Sequence, residues 1–327
     1  MPKVLVVGKI NRLVNWTENT VEAFQQTGCQ VDYFAINGDN RLHSMYFKWR
    51  GVIAGDDFAA VTISLRKKVK AFQPDLIVFV LGAWLPAALF QAVEEISPAS
   101  TKVAWVGDKF DHVQGVFAGY MDWIFCTDTY FMDLLRTQGI STISYLPLAV
   151  DPQRFYPMNK PRTNKIIYVA KNSPGRSLFL SKVEKPLLLY GKKWRKFRQE
   201  FPDSPHEIHA HHLPLNKLPS LYASSRAVLN IKHEIYVERG VNQRSFEPYG
   251  CMTPVLNDDV ADLGLCFDLG REILVYHSLD ELHEIHAKLT SDPAFAKKIG
   301  LAGHQRVMAQ HTYMHRARSI LKQVGLE

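Results

Sequence analysis

The sequence predicts an α/β protein built from two doubly wound halves. In the first half, short apolar runs alternate with stretches of helical periodicity, which is typical of a parallel sheet covered by helices. A segment with four prolines, LPLAVDPQRFYPMNKP from Leu146 to Pro161, interrupts this alternation, and the same pattern then restarts. The length agrees with two domains, because 327 residues exceed the size of one typical domain of about 100 to 200 residues.

The first half begins with Lys3 to Val7, a continuous apolar run that ends at Gly8, as expected for a strand buried on both faces. The elements predicted after it are a helix from about Thr17 to Gln26, a strand from Val31 to Ile36, a helix from Phe58 to Phe72, and strands from Asp75 to Val80, Lys102 to Val106 and Trp123 to Cys126. The region between Arg41 and Asp57 is aromatic and basic. Ligands bind at the carboxyl ends of strands in such sheets. The candidate ligand-binding segments of this half are therefore Gly8 to Asn11, Gly82 to Trp84, Gly107 to His112 and Thr127 to Thr129.

The second half restarts with a buried strand from Lys165 to Ala170, a polar loop from Lys171 to Arg176 and a helix from Ser177 to Val183. Further strands are predicted at Leu187 to Tyr190, His206 to Leu213, Ala227 to Ile231 and Glu272 to Tyr276, with helices at Leu215 to Ser225 and Leu279 to Leu289. An apolar turn and a strand are predicted over Cys251 to Leu256. The expected domains are 1–148 and 163–305, joined by a rigid linker at 149–162. A C-terminal helix at 306–327 is expected to pack back toward the first domain.

Composition excludes several classes of protein. The chain is 46% hydrophobic and 22% charged, which is ordinary for a globular enzyme. The longest apolar run, Leu76 to Phe90, is broken by Gly82 and Pro86 and is shorter than the roughly 20 residues of a membrane helix. The N-terminal MPKVLVVGK enters a strand directly, so neither secretion nor anchoring is indicated and a cytoplasmic location is expected.

Cysteine and histidine usage predicts no metal site. The four cysteines are scattered and are expected to be buried thiols. The cluster His206, His209, His211 and His212 invites a metal interpretation, but no carboxylate or cysteine stands at ligand spacing around it.

The segment from Asn242 to Gly250 reads NQRSFEPYG and resembles the donor-site segment of the CgeB-like (spore maturation protein) glycosyltransferases. The matching residues are Asn242, Arg244, Phe246, Glu247 and Gly250. Three further elements are similar to the family's: Trp105 to Asp108, Tyr190-Gly191 with Trp194, and His311 to Arg316. The resemblance covers about residues 100 to 320. It implies the GT-B fold, with two Rossmann-like domains facing across a cleft, and a nucleotide-diphosphate sugar as donor.

The resemblance assigns Glu247 to the ribose hydroxyls of the donor, because a carboxylate accepts two strong hydrogen bonds. The alternative is a helix-start residue that complements the dipole. Arg244 either binds phosphate or pairs with a nearby acid. Lys171, Arg176 and Lys192 lie where cations suit a diphosphate, and the alternative for this loop is a solvated surface. The other residues expected at the donor are Gly8, His211 and Asn242.

The basic run from Lys192 to Arg198 carries interleaved aromatic residues. It is either a solvated helix face with two buried anchors or a surface for diphosphate, acceptor, nucleic acid or membrane. The sequence leaves these interpretations open.

On the acceptor side, Asp108 and His112 follow a strand and are the candidate catalytic residues, with Asp108 as a general base for an inverting displacement. A structural turn is the competing interpretation of Asp108. Glycogen-synthase-like retaining transferases carry a second glutamate upstream of the one that Glu247 matches. Here Arg239 stands at that offset, with Glu238 beside it, so the stereochemistry stays open.

The sequence therefore predicts a metal-independent GT-B glycosyltransferase that needs no cofactor besides its nucleotide-sugar donor. The acceptor is open among protein, glycan, lipid-linked sugar and modified DNA. One rival is a non-hydrolysing nucleotide-sugar epimerase of the same fold. Another is a non-enzymatic nucleic-acid-binding protein, which would use the net charge of +7.

Overall fold

The computed structural model of the protein describes the chain except for residues 11–14, 81–84, 111–113, 212 and 234–236. The chain divides into two compact units: unit 1 is Met1–Pro147 with Tyr313–Glu327, and unit 2 is Leu148–Thr312. Residues 149–162, expected as a linker, belong to unit 2. Of the expected C-terminal helix at 306–327, the part from Tyr313 onward belongs to unit 1.

Unit 1 contains a six-stranded parallel sheet in the order β2-β1-β3-β4-β5-β6. Its strands are β1 (Lys3–Gly8), β2 (Gln30–Ala35), β3 (Leu76–Val80), β4 (Thr101–Val106), β5 (Trp123–Cys126) and β6 (Ile143–Tyr145). Its helices are α1 (Trp16–Gln26), α2 (Arg41–Ala54), α3 (Ala59–Phe72), α4 (Ala87–Ile96), α5 (Thr129–Thr137) and α12 (Tyr313–Gln323). The core is apolar and joins strand residues to side chains of α2 through α5.

Unit 2 repeats this plan with a second six-stranded parallel sheet, in the order β12-β11-β10-β7-β8-β9. Its strands are β7 (Ile166–Val169), β8 (Leu187–Tyr190), β9 (Glu207–His209), β10 (Ala227–Asn230), β11 (Val255–Asp258) and β12 (Leu274–Tyr276). Its helices are α6 (Pro174–Leu180), α7 (Trp194–Glu200), α8 (Leu218–Ser224), α9 (Glu247–Gly250), α10 (Leu279–Ser291) and α11 (Pro293–Gln310). The predicted α/β fold with two doubly wound halves is confirmed.

Each sheet has one point at which the strand order reverses. In unit 1 the chain moves from β1 outward to β2 and then returns to the other side of β1 with β3. In unit 2 it moves from β7 through β8 to β9 and returns beside β7 with β10. Loops diverge at the carboxyl ends of the two strands that flank such a point, and this leaves room for a ligand. The residues after β7 and β10 are therefore where a ligand of unit 2 is expected.

Several element boundaries differ from the sequence-based prediction. The region from Arg41 to Asp57, left without an element, forms α2, which begins where the Asn40 side chain accepts a hydrogen bond from the His43 amide (2.9 Å). The third strand of unit 2, predicted as His206 to Leu213, is limited to β9. The apolar turn and strand predicted over Cys251 to Leu256 are present, with a turn at residues 251 and 252 and the strand beginning at Val255.

The C-terminal part of the chain also differs from the single helix expected at 306–327. Residues 306–310 are the end of α11, and the chain leaves helical conformation at His311 before α12 begins. The backbone of this break is held by Val150, whose amide donates to the His311 carbonyl (2.9 Å) and which forms a parallel bridge with Thr312. Because Val150 pairs with residues 311 and 312 as a strand would, the helix is interrupted there.

The short helix α9 is enclosed by close backbone approaches. A Cβ on Gly250 would lie 2.5 Å from the Phe155 Cβ, and one on Gly303 would lie 2.1 Å from the Tyr249 ring. His304 adds a hydrogen bond from its ring to the Tyr249 carbonyl (2.8 Å). The segment around Glu247 is therefore held between α11 and the proline-rich segment.

The expectation that the four cysteines are buried thiols is confirmed. No helix in the described part of the chain is both long enough and apolar enough to cross a bilayer.

We predict that Gly250→Ala destabilises the protein by about 2 to 4 kcal/mol, because the added methyl group overlaps the Phe155 side chain and backbone. Gly264→Ala is the matched control, since the nearest atom to its added Cβ is 3.9 Å away. The control should change stability by less than about 1 kcal/mol. Chemical denaturation of both variants measures the difference, and equal midpoints would contradict the close approach at Gly250.

Candidate functional site

The carboxyl end of β10 carries a buried polar network centred on Asn230, which is 0% exposed. The Asn230 Nδ2 donates to Ser245 Oγ (2.9 Å) and to Asn257 Oδ1 (2.7 Å). Its Oδ1 accepts from Asn242 Nδ2 (3.2 Å) and Arg244 Nε (3.0 Å). One amide therefore joins the ends of β10 and β11 to the segment that begins at Asn242.

Asp258 extends this network to the end of β11. Its carboxylate accepts from the Lys232 amide (2.9 Å), which follows β10. Burial raises the pKa of Asp258 to about 6, while this amide and the cations of Lys232 and Arg244 oppose the shift. The strand ends are thus held by charge as well as by neutral hydrogen bonds.

Arg244 and Glu247 lie on consecutive turns after Asn242. The Asn242 side chain accepts a hydrogen bond from the Arg244 amide (2.9 Å). This bond caps the start of the 3₁₀ turn Gln243–Ser245. The helix α9 then begins with Glu247. The Arg244 guanidinium, bonded to Asn230, also donates to the Ile231 carbonyl (3.4 Å). It is close enough to Glu247 to lower the pKa of that carboxylate.

Glu247 is a partly buried carboxylate whose pKa is raised by its surroundings. Burial raises its pKa to about 7, and Asp151 adds to the shift, while the cations of Arg244 and Arg154 lower it. No residue in the described part of the chain donates a hydrogen bond to the Glu247 carboxylate. Tyr222 lies nearby, and burial together with Glu247 raises the pKa of its phenol. A carboxylate in this state is ready to accept hydrogen bonds from a ligand.

Arg176 occupies the point where the strand order of unit 2 reverses. Only 3% of it is exposed, and its guanidinium donates to the Lys171 carbonyl (3.0 Å) after β7 and to the Ile231 carbonyl (3.2 Å) after β10. This fixes the two loops that flank the ligand position. Arg176 therefore positions backbone instead of presenting a mobile cation, although its charge still lies at the predicted donor edge.

Lys171 and Lys192 present their side chains at this same edge. Gly191 allows the loops after β7 and β8 to approach closely, because its φ is 134° and a Cβ there would lie 2.2 Å from the Ala170 carbonyl oxygen. The Asn172 amide then donates to the Lys192 carbonyl (3.0 Å). Both lysine side chains are exposed, so two cations lie on adjoining loops at the carboxyl edge of the sheet.

His211 is exposed and follows β9 at the far end of this edge. Its ring meets His209 edge-on at 6.1 Å, and His209 stacks on Tyr190 at 4.4 Å. His206 is buried instead and bonds to the Leu180 carbonyl (2.9 Å). Two strands, β7 and β8, therefore separate the strand that carries Asn230 from β9, which His211 follows.

The basic run Lys192 to Arg198 begins in the turn before α7 and continues through most of that helix. Its aromatic residues Trp194 and Phe197 are both 0% exposed, and Trp194 Nε1 donates to the Ala170 carbonyl (2.8 Å). This is the arrangement expected for a basic helix face with two buried anchors. Because the aromatic rings are buried, they are not available to stack on nucleic-acid bases.

In unit 1, Gly8 and Asp108 lie at the carboxyl ends of β1 and β4. A Cβ on Gly8 would lie 2.4 Å from Thr17 Oγ1, so the residue permits close packing of α1 at the reversal of strand order. Asp108 is partly buried, and burial raises its pKa while Lys9 opposes the shift. The other candidate catalytic residue, His112, lies outside the described residues, as does Asp111.

The family-like motifs of the sequence have structural roles in both units. Trp105 Nε1 donates to the Leu146 carbonyl (2.8 Å), and Arg316 Nε donates to the Pro147 carbonyl (2.7 Å), where the chain leaves unit 1. His311 packs on Phe246 at 5.3 Å and bonds to the Cys266 carbonyl (2.9 Å). Trp105 and Arg316 therefore hold the chain where it leaves unit 1, and His311 holds the Phe246 ring next to α9.

Sequence analysis did not identify Asn230, Asn257, Asp258, Arg154 or Tyr222 as part of this site. Asn230 and Asn257 end apolar strands, and a polar residue at a strand end is a recognisable local pattern. Among the residues that the structure describes, no three His, Cys, Asp or Glu side chains cluster so as to hold a metal ion.

Comparison with known proteins adds a family match to this geometry. Residues 164–322 match the family model described as glycosyl transferase-like, a range that includes the whole network around Asn230. No curated protein sequence matches the chain.

Solved structures share the fold across almost the whole chain. The sucrose-phosphate synthase from Thermosynechococcus elongatus aligns with a TM-score of 0.72 and 13% identity, covering 99% of this chain and 99% of that chain. The Anabaena protein HepE in complex with UDP-glucose aligns with a TM-score of 0.71 and 10% identity, covering 99% and 100%. The DNA-modifying enzyme beta-glucosyltransferase aligns with a TM-score of 0.62 and 12% identity, covering 99% and 100%. The chain therefore has the two-domain α/β fold of the GT-B glycosyltransferases.

We predict that Glu247→Gln stabilises the protein at pH 8. The folded state raises the Glu247 pKa, so ionising this group lowers the stability as the pH rises from about 4.5 to about 7. A neutral glutamine avoids this loss, which amounts to about 1 to 3 kcal/mol. The gain should therefore be present at pH 8, smaller at pH 6 and absent near pH 4.5.

Chemical denaturation at these three pH values tests the prediction. Glu200→Gln is the control, because Glu200 is exposed on α7 and should change stability by less than about 0.5 kcal/mol at each pH. A stability difference for Glu247→Gln that does not depend on pH would show that the carboxylate is not desolvated.

Proposed function

We propose that this protein is a CgeB-like glycosyltransferase that moves a sugar from a nucleotide-diphosphate sugar to an acceptor without a metal ion. The observation that carries the proposal is the Glu247 carboxylate, which is partly buried, has a raised pKa and accepts no hydrogen bond from a described residue. It lies beside Arg244 in the segment that connects β10 and β11. The glycosyl transferase-like family match and the shared fold support the same class.

In this proposal the ribose of the donor binds Glu247. The two ribose hydroxyls donate to the ionised carboxylate, replacing the water that burial removes. Such bonds favour the charged form, so binding lowers the raised pKa of Glu247. The backbone around Glu247 is held by Asn242 and Gly250, so little conformational freedom is lost when the donor binds.

The diphosphate of the donor binds the edge formed by the loops after β7 and β8. Lys171 and Lys192 are exposed there and supply mobile cations, while Arg176 supplies a fixed guanidinium below them. These cations neutralise the charge that develops on the leaving diphosphate, the role that a divalent ion has in metal-dependent transferases. The proposal of metal independence rests on this supply of cations.

Asp108 of unit 1 is the proposed general base for the acceptor hydroxyl. A raised pKa brings a carboxylate nearer to the pKa that favours proton transfer at neutral pH. If the reaction instead retains the anomeric configuration, the leaving phosphate takes the acceptor proton and Asp108 is not needed.

We predict that donor affinity falls with pH below about 7 and that Glu247→Gln removes most of this dependence. If only the ionised Glu247 binds the ribose, affinity drops about tenfold for each pH unit below its pKa. At pH 8 the variant should bind about 10 to 150 times more weakly, because it loses charge-assisted hydrogen bonds. Calorimetry with UDP, UDP-glucose and the other nucleoside diphosphates supplies the measurement.

A matched variant serves as the control of this titration. Glu200→Gln should bind as the wild type does, because Glu200 lies on the exposed face of α7.

The wild-type turnover should be the same in EDTA as in magnesium, and turnover that returns only with a divalent ion would contradict metal independence. A change of the donor sugar in the absence of acceptor would identify an epimerase.

For an inverting reaction, we predict that Asp108→Asn lowers turnover by about 100 to 10,000-fold with little change in donor affinity. Asp128→Asn is the matched control. Asp128 ends the neighbouring strand but caps α5 through the Tyr130 amide (2.8 Å), and asparagine caps equally well. NMR of the product gives the anomeric configuration. An inverted product made by Asp108→Asn at the wild-type rate would rule out Asp108 as the base.

A further inference from the structure

The helix α2 exposes a contiguous set of large apolar side chains. These residues are Leu42, Met45, Tyr46, Trp49, Val52 and Ile53, and each is at least 47% exposed. Most helices of a folded protein turn such residues toward the core. The function proposed above assigns no role to this surface, which we name the α2 apolar face.

Helical geometry places the six residues on one side of α2. At about 100° per residue, they fall within an arc of roughly 120°. The opposite side is the one that packs on unit 1, through the buried residues Phe47 and Gly51. The Phe47 ring packs against His43 at 4.4 Å and Phe34 at 6.3 Å. The helix is therefore fixed to the protein by one narrow side, and its apolar face points to solvent.

Cations border the α2 apolar face. On the same helical projection, Arg41 and Lys48 lie along one edge of the apolar arc and Arg50 along the other. All three are exposed, and the sequence of α2, RLHSMYFKWRGVIA, contains no acidic residue. The acids nearest in sequence lie outside the helix: Asp39 pairs with His43 (3.3 Å) before it, and Asp56 and Asp57 follow it.

We infer that α2 binds the surface of an anionic lipid bilayer, with its apolar face in the interface and its bordering cations at the lipid phosphates. Aromatic residues such as Trp49 and Tyr46 favour the interface, and an apolar stripe with basic edges is the pattern of a helix that lies flat there. The helix is about 21 Å long, which is too short to span the roughly 30 Å hydrocarbon core.

Charge argues against a second copy of the chain as the occupant. Two α2 faces brought together would place Arg41, Lys48 and Arg50 of each copy next to the same cations of the other. Like charges across an interface are unfavourable. An anionic bilayer instead meets the apolar and the basic parts of the surface together.

The test is cosedimentation of the full chain with two kinds of vesicle, one of phosphatidylcholine alone and one with phosphatidylglycerol added. The wild type should bind the anionic vesicles at least tenfold more tightly. Trp49→Glu combined with Ile53→Glu should reduce binding to anionic vesicles at least tenfold. Replacing Arg41, Lys48 and Arg50 with glutamine should reduce binding about fivefold for each cation and remove the preference for anionic lipid.

Leu265→Glu is the control, because Leu265 is 60% exposed, as Trp49 and Ile53 are, but lies in unit 2. It should bind vesicles as the wild type does, and thermal unfolding should show that all variants are folded. Equal binding by the Trp49→Glu and Ile53→Glu variant, or no binding by the wild type, would overturn the inference. So would a dimer in light scattering that the same two substitutions dissociate, since a second copy would then cover the face.

Discussion

The side-chain amide of Asn230 is the contact on which the candidate site depends. It is fully buried and uses both of its ends, donating to Ser245 and Asn257 and accepting from Asn242 and Arg244. An apolar residue in its place would leave several buried polar groups without partners, at a cost of about 1 to 3 kcal/mol for each. Because α9 starts immediately after this segment, the position of Glu247 follows from the amide. The site is thus specified by hydrogen bonds between segments that lie far apart in the sequence.

Rigid packing explains why Glu247 keeps an unfavourable environment. A carboxylate on a mobile loop would turn toward water and keep its usual pKa. Here Gly250 lies against Phe155 and Gly303 lies against the Tyr249 ring, so α9 has no room to shift. The fold therefore keeps the pKa of Glu247 raised, and hydrogen bonds donated by a ligand would lower it. A residue that lowers stability in the free protein and gains hydrogen bonds in the complex is typical of a binding site.

The parts of this structure that sequence analysis predicted are those with local causes. Apolar runs such as Trp123–Cys126 predicted strands because every residue of the pattern is adjacent, and Glu247 stood out at a helix start. Asn230 and Asn257 lie in separate strands, and only the register of β10 with β11 pairs them. The burial of Arg176 likewise depends on the Ile231 carbonyl. The periodicity of α2 does not predict which side is buried. Its larger apolar side is exposed, and the smaller side that carries Phe47 packs on the protein.

The division of the cations at the donor edge has an electrostatic consequence under the proposed function. The guanidinium of Arg176 is bonded to two carbonyls and is almost fully buried, so it neither moves nor gains much shielding from water. Lys171 and Lys192 are exposed, and salt screens their charges. The attraction of an anion to Arg176 should therefore change little with salt concentration, whereas its attraction to the two lysines should weaken as salt is added. Fixed charges also stabilise a leaving diphosphate better, because they do not reorganise during the reaction.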